Sequence, residues 1–156
     1  MSHEPQRCYL VVVDDTPESR LALRYAARRA RQTGGRLALL SVLPPSDFVQ
    51  WGGVQEAIES ETREAATTLL AGIAVEVTAA YGLTPTTAVR RGPATEEVLA
   101  AMSDAGSVSA LVLGTAAKGA PGPLVSHFTG DRAGQLPCPL ILVPGGMSEA
   151  DIDRLA

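Results

Sequence analysis

A chain of 156 residues that is 46% apolar and 19% charged has the length and composition of one globular domain, spanning residues 1–156, with a substantial core. Its formal net charge of −4 and its few aromatic residues argue against a nucleic-acid backbone as partner, since that calls for a basic face. No apolar run is long enough to span a bilayer, no N-terminal segment has a signal peptide's length or flanks, and Cys8 and Cys138 stand in no metal-ligand spacing. The expectation is a soluble cytoplasmic protein with reduced thiols.

The opening is the most informative stretch. An all-apolar run from Tyr9 to Val13 stops at Asp14 and Asp15. A strand apolar at every position is buried on both faces, as in a parallel sheet between helices. Thr16 is then a good N-cap, Pro17 suits the first helical position and Glu18 the positive end of the helix. This helix should run to about Gln32, with Leu23, Ala26, Ala27 and Ala30 inward and Gly34-Gly35 as its stop. A second strand follows from Arg36 to Val42, closed by Pro44-Pro45, and a looser segment from Ser46 to Gly53 carries the only tryptophan, Trp51. Val54, Ile58, Ala65, Leu69, Ile73 and Val77 then form the buried stripe of a long helix ended by Gly82.

Thr84 to Arg90 reads as a third strand, which Pro85 demotes towards a sheet edge. Gly92-Pro93 turns the chain into a helix from about Ala94 to Met102, and Ala110 to Gly114 forms the fourth strand. A Gly/Pro-rich loop from Thr115 to Pro123 precedes a short helix from about Ser126 to Gln135. Pro139 to Val143 is the fifth strand, and Ser148 caps a small helix ending near Ala156. Strictly alternating strands and helices imply a three-layer α/β fold: a five-stranded parallel sheet with right-handed crossovers and helices on both faces. In such sheets ligands sit beyond the carboxyl ends of the strands, where Asp14 and Asp15 belong.

Five features, in this order and spacing, resemble the universal stress protein family. They are Val13-Asp14 with Ala22-Leu23, the strand end Ser41-Val42, Gly92-Pro93, the strand into Gly114-Thr115, and Pro137-Cys138-Pro139 before a last apolar strand. The resemblance spans Tyr9 to Val143 and implies a Rossmann-like, nucleotide-binding α-hydrolase-like topology. It also implies a stress-response binding or regulatory protein, and a homodimer through the edge strand Pro139–Val143. Family members divide into nucleotide-binding and non-binding groups. The cofactor implied for the former is ATP or another adenine nucleotide with Mg²⁺, with Asp14 near the ribose and metal and Val42 beside the adenine.

Binding members resemble G-x-x-G-(nine residues)-G-[S/T] after the fourth strand, where glycines admit the phosphates to backbone N–H groups. Here Gly114 matches the first glycine and Ala117 stands at the second. Counting back from Pro139 puts Ser126 at the third glycine and His127, read as a helix N-terminal residue, at the hydroxyl position. A loop so altered implies weak or no ATP binding. The bland alternatives are that Asp14 tidies the helix start, Val42 is core, Gly114 makes a tight turn and His127 is a surface side chain.

Two other readings fail on missing residues. The acidic opening resembles a phosphorelay receiver, but neither Arg36–Pro45 nor Leu83–Arg91 holds an aspartate to accept a phosphoryl group, and no lysine follows the fifth strand. An enzyme on this fold would need a Walker or similar phosphate loop, or a nucleophile near one of the two histidines, and the sequence offers neither. The function expected is non-catalytic.

Overall fold

A computed structural model describes residues 5–45 and 53–156. In chain order the elements are β1 (Cys8–Val12), α1 (Pro17–Thr33), β2 (Arg36–Leu43), α2 (Gly53–Tyr81), β3 (Thr86–Arg91), α3 (Ala94–Asp104), β4 (Ala110–Thr115), α4 (Pro123–Thr129), a 3₁₀ turn at Ala133–Gln135, β5 (Leu140–Pro144) and α5 (Glu149–Leu155). All strand pairs are parallel, in the order β3-β2-β1-β4-β5. The three-layer α/β sandwich expected from the sequence is therefore present. The chain leaves β1 towards β2 on one side and later fills β4 on the other, so a topological switch point lies between the ends of β1 and β4.

Alternation along β1 divides the core. Tyr9, Val11 and Val13 face α1, α2 and α5, with Ala22, Ala26, Leu70, Ile73 and Ile152 packed against them. Cys8 and Leu10 face α3 and α4, with Val98, Met102, Val125 and Phe128 as the facing layer. Burial pushes both thiols above the ordinary cysteine pKa, so neither is set up as a thiolate nucleophile at neutral pH.

The start of α1 forms as its residues require. Thr16 caps it by accepting from Ser19 N–H, Pro17 opens it, and Gly34 closes it in the left-handed conformation at φ 67°. Pro85 stays outside β3, which begins one residue later at Thr86, because a proline has no N–H for the ladder. Elsewhere the expectations need correction. In α2 the buried stripe is Ala66, Leu70, Ile73 and Val77, while Val54 and Ile58 are 58% and 48% exposed and Ala65 is exposed. A helix of 29 residues is about 43 Å long at about 1.5 Å per residue, more than the strands beneath it can cover, so only its second half packs. The expected helix Ser126–Gln135 begins at Pro123, ends at Thr129 and is followed by a separate 3₁₀ turn. Pro123 sets the start and Gly130 the stop. Trp51 lies outside the described residues.

α5 is held by ionic contacts as well as by Ile152. Arg24 grips Asp153 with two bonds of 2.7 Å, Nε to Oδ1 and Nη2 to Oδ2, and Arg28 donates to the Asp153 carbonyl at 3.0 Å. Hydrogen bonding from Arg24 holds the Asp153 carboxyl below the usual carboxylate range. A depressed carboxylate stabilises the fold above its unfolded pKa of about 3.9, and the effect is lost as pH falls through the lower folded value. Protection of the α5 amides against hydrogen exchange should therefore fall relative to α1 in strong acid. Arg24→Ala should lower that protection already at neutral pH and reduce its acid dependence to the part set by the Asp151–Ser148 capping box, whose hydrogen bonds also hold the Asp151 carboxyl low. Equal pH profiles for wild type and variant would rule out this ion pair as the clasp.

Candidate ligand-binding site

A cavity of about 230 Å³ opens at the switch point, beyond the carboxyl ends of β1 and β4. Val12, Val42, Leu113, Leu124 and Val125 supply apolar walls, and Asp14, Thr16, Glu18 and Ser19 line its polar side. Ligand cavities usually run from about 300 Å³ upward, so this one suits a small molecule.

The polar side is a local hydrogen-bonded ring. Asp14 N–H donates to Ser19 Oγ at 2.9 Å, and Ser19 N–H donates to Thr16 Oγ1 at 3.3 Å. Thr16 gives its N–H to Asp14 Oδ1 at 3.0 Å and its hydroxyl to the same oxygen. Ser19 is 3% exposed, so its hydroxyl is a fixed part of the scaffold. Among the described residues, Asp14 Oδ2 and the Glu18 carboxylate have no partner in the chain. Asp15 is exposed and does not line the cavity.

Of the five residues nominated from sequence, the fold brings Asp14, Val42 and Gly114 to this cavity and leaves Ser126 and His127 outside its lining. Because α4 starts at Pro123, Ser126 falls at its middle and His127 in its last turn, the His127 ring edge-on to Phe128 with centroids 5.2 Å apart. The expectation of His127 at a helix N-terminus is thus corrected. The segment Gly122–Val125 lines the cavity instead.

Gly114 is here for a reason other than a turn. A Cβ at this position would stand 2.2 Å from the Glu18 carbonyl oxygen and 3.0 Å from Ser19 N, so the strand end and the first turn of α1 touch backbone to backbone. Gly145 packs the same corner from β5, where a Cβ would meet the Thr115 carbonyl oxygen at 2.8 Å and Ala117 N at 2.9 Å. Sequence reading missed Thr16 and Ser19 as wall residues. Their signal was the capping pattern itself, since a cap that closes on a strand-end aspartate also builds the cavity's rim.

The electrostatics are one-sided. The lining carries two carboxylates and no lysine, arginine or histidine; Lys118, the single lysine of the chain, sits in the preceding loop without lining the cavity. Pro121 and Pro123 remove two N–H groups from the stretch where an anion would look for donors.

The profile of the universal stress protein family matches residues 9–144. The chain belongs to that family. Solved structures of other members agree in fold. Universal stress protein UspA from Lactobacillus plantarum superposes with a TM-score of 0.69 at 18% identity, over 90% of this chain and 99% of that one. A universal stress protein family member from Burkholderia pseudomallei gives 0.56 at 21% identity, over 88% and 95%. The universal stress protein from Archaeoglobus fulgidus in complex with dAMP gives 0.55 at 17% identity, over 88% and 97%. No curated protein is a significant sequence match. α5 lies beyond the residues matched to the family profile. Among the described residues no helix is long and apolar enough to cross a membrane.

Proposed function

We propose that this universal stress protein is a small, non-catalytic binding or regulatory protein of the cytoplasm whose site holds ATP weakly or not at all. The observation that carries this is the lining of the switch-point cavity: two carboxylates, no cation, and prolines on either side of Gly122. A triphosphate placed there would face negative charge and lose backbone donors. Each hydrogen bond lost to a charged group costs about 1.5–3 kcal/mol, so two lost bonds move a micromolar ligand to about the millimolar range.

Calorimetry with Mg²⁺-ATP should give no saturation below about 1 mM, and the denatured protein should release no nucleotide on mass analysis. Micromolar binding would overturn this reading in favour of a second one, a nucleotide-dependent switch. That alternative is supported by the convergence of Asp14, Val42 and Gly114 on one cavity and by the dAMP complex of the Archaeoglobus fulgidus relative. Among the described residues no three side chains form a metal-binding cluster, so Mg²⁺ would be shared between the phosphates and Asp14.

The assembly proposed is a homodimer through Pro139–Val143. β3 and β5 are the two edges of the sheet, and they differ. At β3, Arg63 already donates to the Val89 carbonyl at 3.3 Å, and Arg90 and Arg91 charge the strand end. β5 is apolar from Leu140 to Val143, leaves Leu142 36% exposed, and receives no side-chain hydrogen bond among the described residues. An unguarded apolar edge invites a second strand, and a two-fold axis closes it with its own copy.

A further inference from the structure

The opposite end of the sheet carries a second opening that the switch-point cavity does not explain. It is a groove of about 310 Å³ between α3 and the β1-β2-β3 side of the sheet. Small side chains create it: Ala38 on β2, Ala88 on β3 and Ala101 on α3 meet where a sheet and a helix packed about 10 Å apart need larger ones. The floor is apolar: Ala38 keeps 7% of its surface exposed to the groove, and Leu10 and Leu40 are packed beneath it.

Two guanidinium groups line this groove against one carboxylate. Arg90 is engaged, with Nε on Glu97 Oε2 at 2.6 Å and Nη1 on Asp104 Oδ2 at 2.8 Å. Arg36 is not: among the described residues its side chain has neither a hydrogen bond nor an ion pair. Its place in β2, two and four residues before Ala38 and Leu40, puts it on the same face as the floor. Its charge also reaches the Cys8 thiol on that face, opposing the upward push of burial.

We propose that this groove binds a small organic carboxylate with an apolar body, the carboxylate paired with Arg36 and the body lying along Ala38 between Ala88 and Ala101. A planar guanidinium with open donors matches a carboxylate in a two-point fit. Asp104 disfavours a second negative charge, which sets a monoanion apart from a phosphate ester. The volume, at the low end for ligand sites, limits the apolar body to a short or medium chain.

Octanoate is a suitable probe, with octanol and octylammonium as its neutral and cationic counterparts. Calorimetry on the full chain should show saturable binding of octanoate, and binding by the other two at least tenfold weaker. Arg36→Gln should weaken octanoate at least tenfold by removing the charge, and Ala88→Leu should do so by filling the groove. Arg36 and Ala88 are both exposed, so each variant should keep the wild-type melting temperature, which is measured alongside. Octanol binding as tightly as octanoate would overturn the proposal. So would no saturable heat from octanoate, or octanoate affinity unchanged in either folded variant.

Discussion

Gly114→Ala should be among the most damaging single-methyl additions the fold can receive. The new Cβ would sit 2.2 Å from the Glu18 carbonyl oxygen and 2.5 Å from its carbon. Both are backbone atoms of the first turn of α1, which cannot swing aside as a side chain would. Either β4 or α1 must shift, and overpacking of this kind costs about 1–3 kcal/mol or more. For a chain of 156 residues, 3 kcal/mol lowers the melting temperature by roughly 6–12 °C. Gly122→Ala is the control: its φ of −65° suits any residue and a Cβ there meets nothing within 4 Å. It should leave stability within about 0.5 kcal/mol of wild type. Equal, small losses from both would mean that Gly114 is kept for approach to a ligand and not for packing.

That contrast shows where sequence reasoning succeeded and where it stopped. The sheet was legible because β1, β2 and β4 are apolar at nearly every position and each is followed by turn residues and a helical period. β3 does lie at the edge expected from Pro85, although Pro85 itself stands just before the strand, where its missing N–H costs the ladder nothing. Gly114 was found, but its cause was not, because two elements distant in sequence create the close approach that only a glycine permits. Ser126 and His127 were placed by counting back from Pro139. The counting carried no information about where α4 begins, and Pro123 decides that. Likewise the stripe through Val54 and Ile58 obeys helical spacing, yet spacing cannot say how far a neighbouring sheet extends. The local rules of capping, turn and alternation read correctly, whereas the span of each contact depended on lengths set elsewhere in the chain.

The two openings of the fold also divide the charge. The switch-point cavity has an acidic lining because Asp14 follows the end of β1 just ahead of the Thr16 cap and Glu18 sits in the first turn of α1, where a carboxylate favours the helix dipole. The groove under α3 has a basic lining because Arg36 and Arg90 stand on the open side of β2 and β3. Residues that begin as solutions to local folding problems thereby give each opening a preference in ligand sign.

Leu142→Lys should convert a dimer into a monomer of 16.2 kDa. Leu142 is the outermost large apolar side chain of β5 at 36% exposure, so the isolated protomer should tolerate the change. Ile141 is a poorer probe, since it packs against the core beside α1 and α5 and a lysine there would unsettle the protomer itself. In a two-fold pairing of β5 with its copy, both new ammonium groups enter the same contact. Like charges brought together across a strand pair repel, and each must also shed water. A combined cost of about 3 kcal/mol weakens association by more than a hundredfold. Sedimentation at matched concentrations should then give a mass near one protomer for the variant and about twice that for wild type. Thr87→Lys on the exposed surface of β3 should change nothing. A variant that sediments as a dimer across the whole concentration range would exclude β5 as the contact, and a shift caused by Thr87→Lys instead would move the interface to the opposite edge of the sheet.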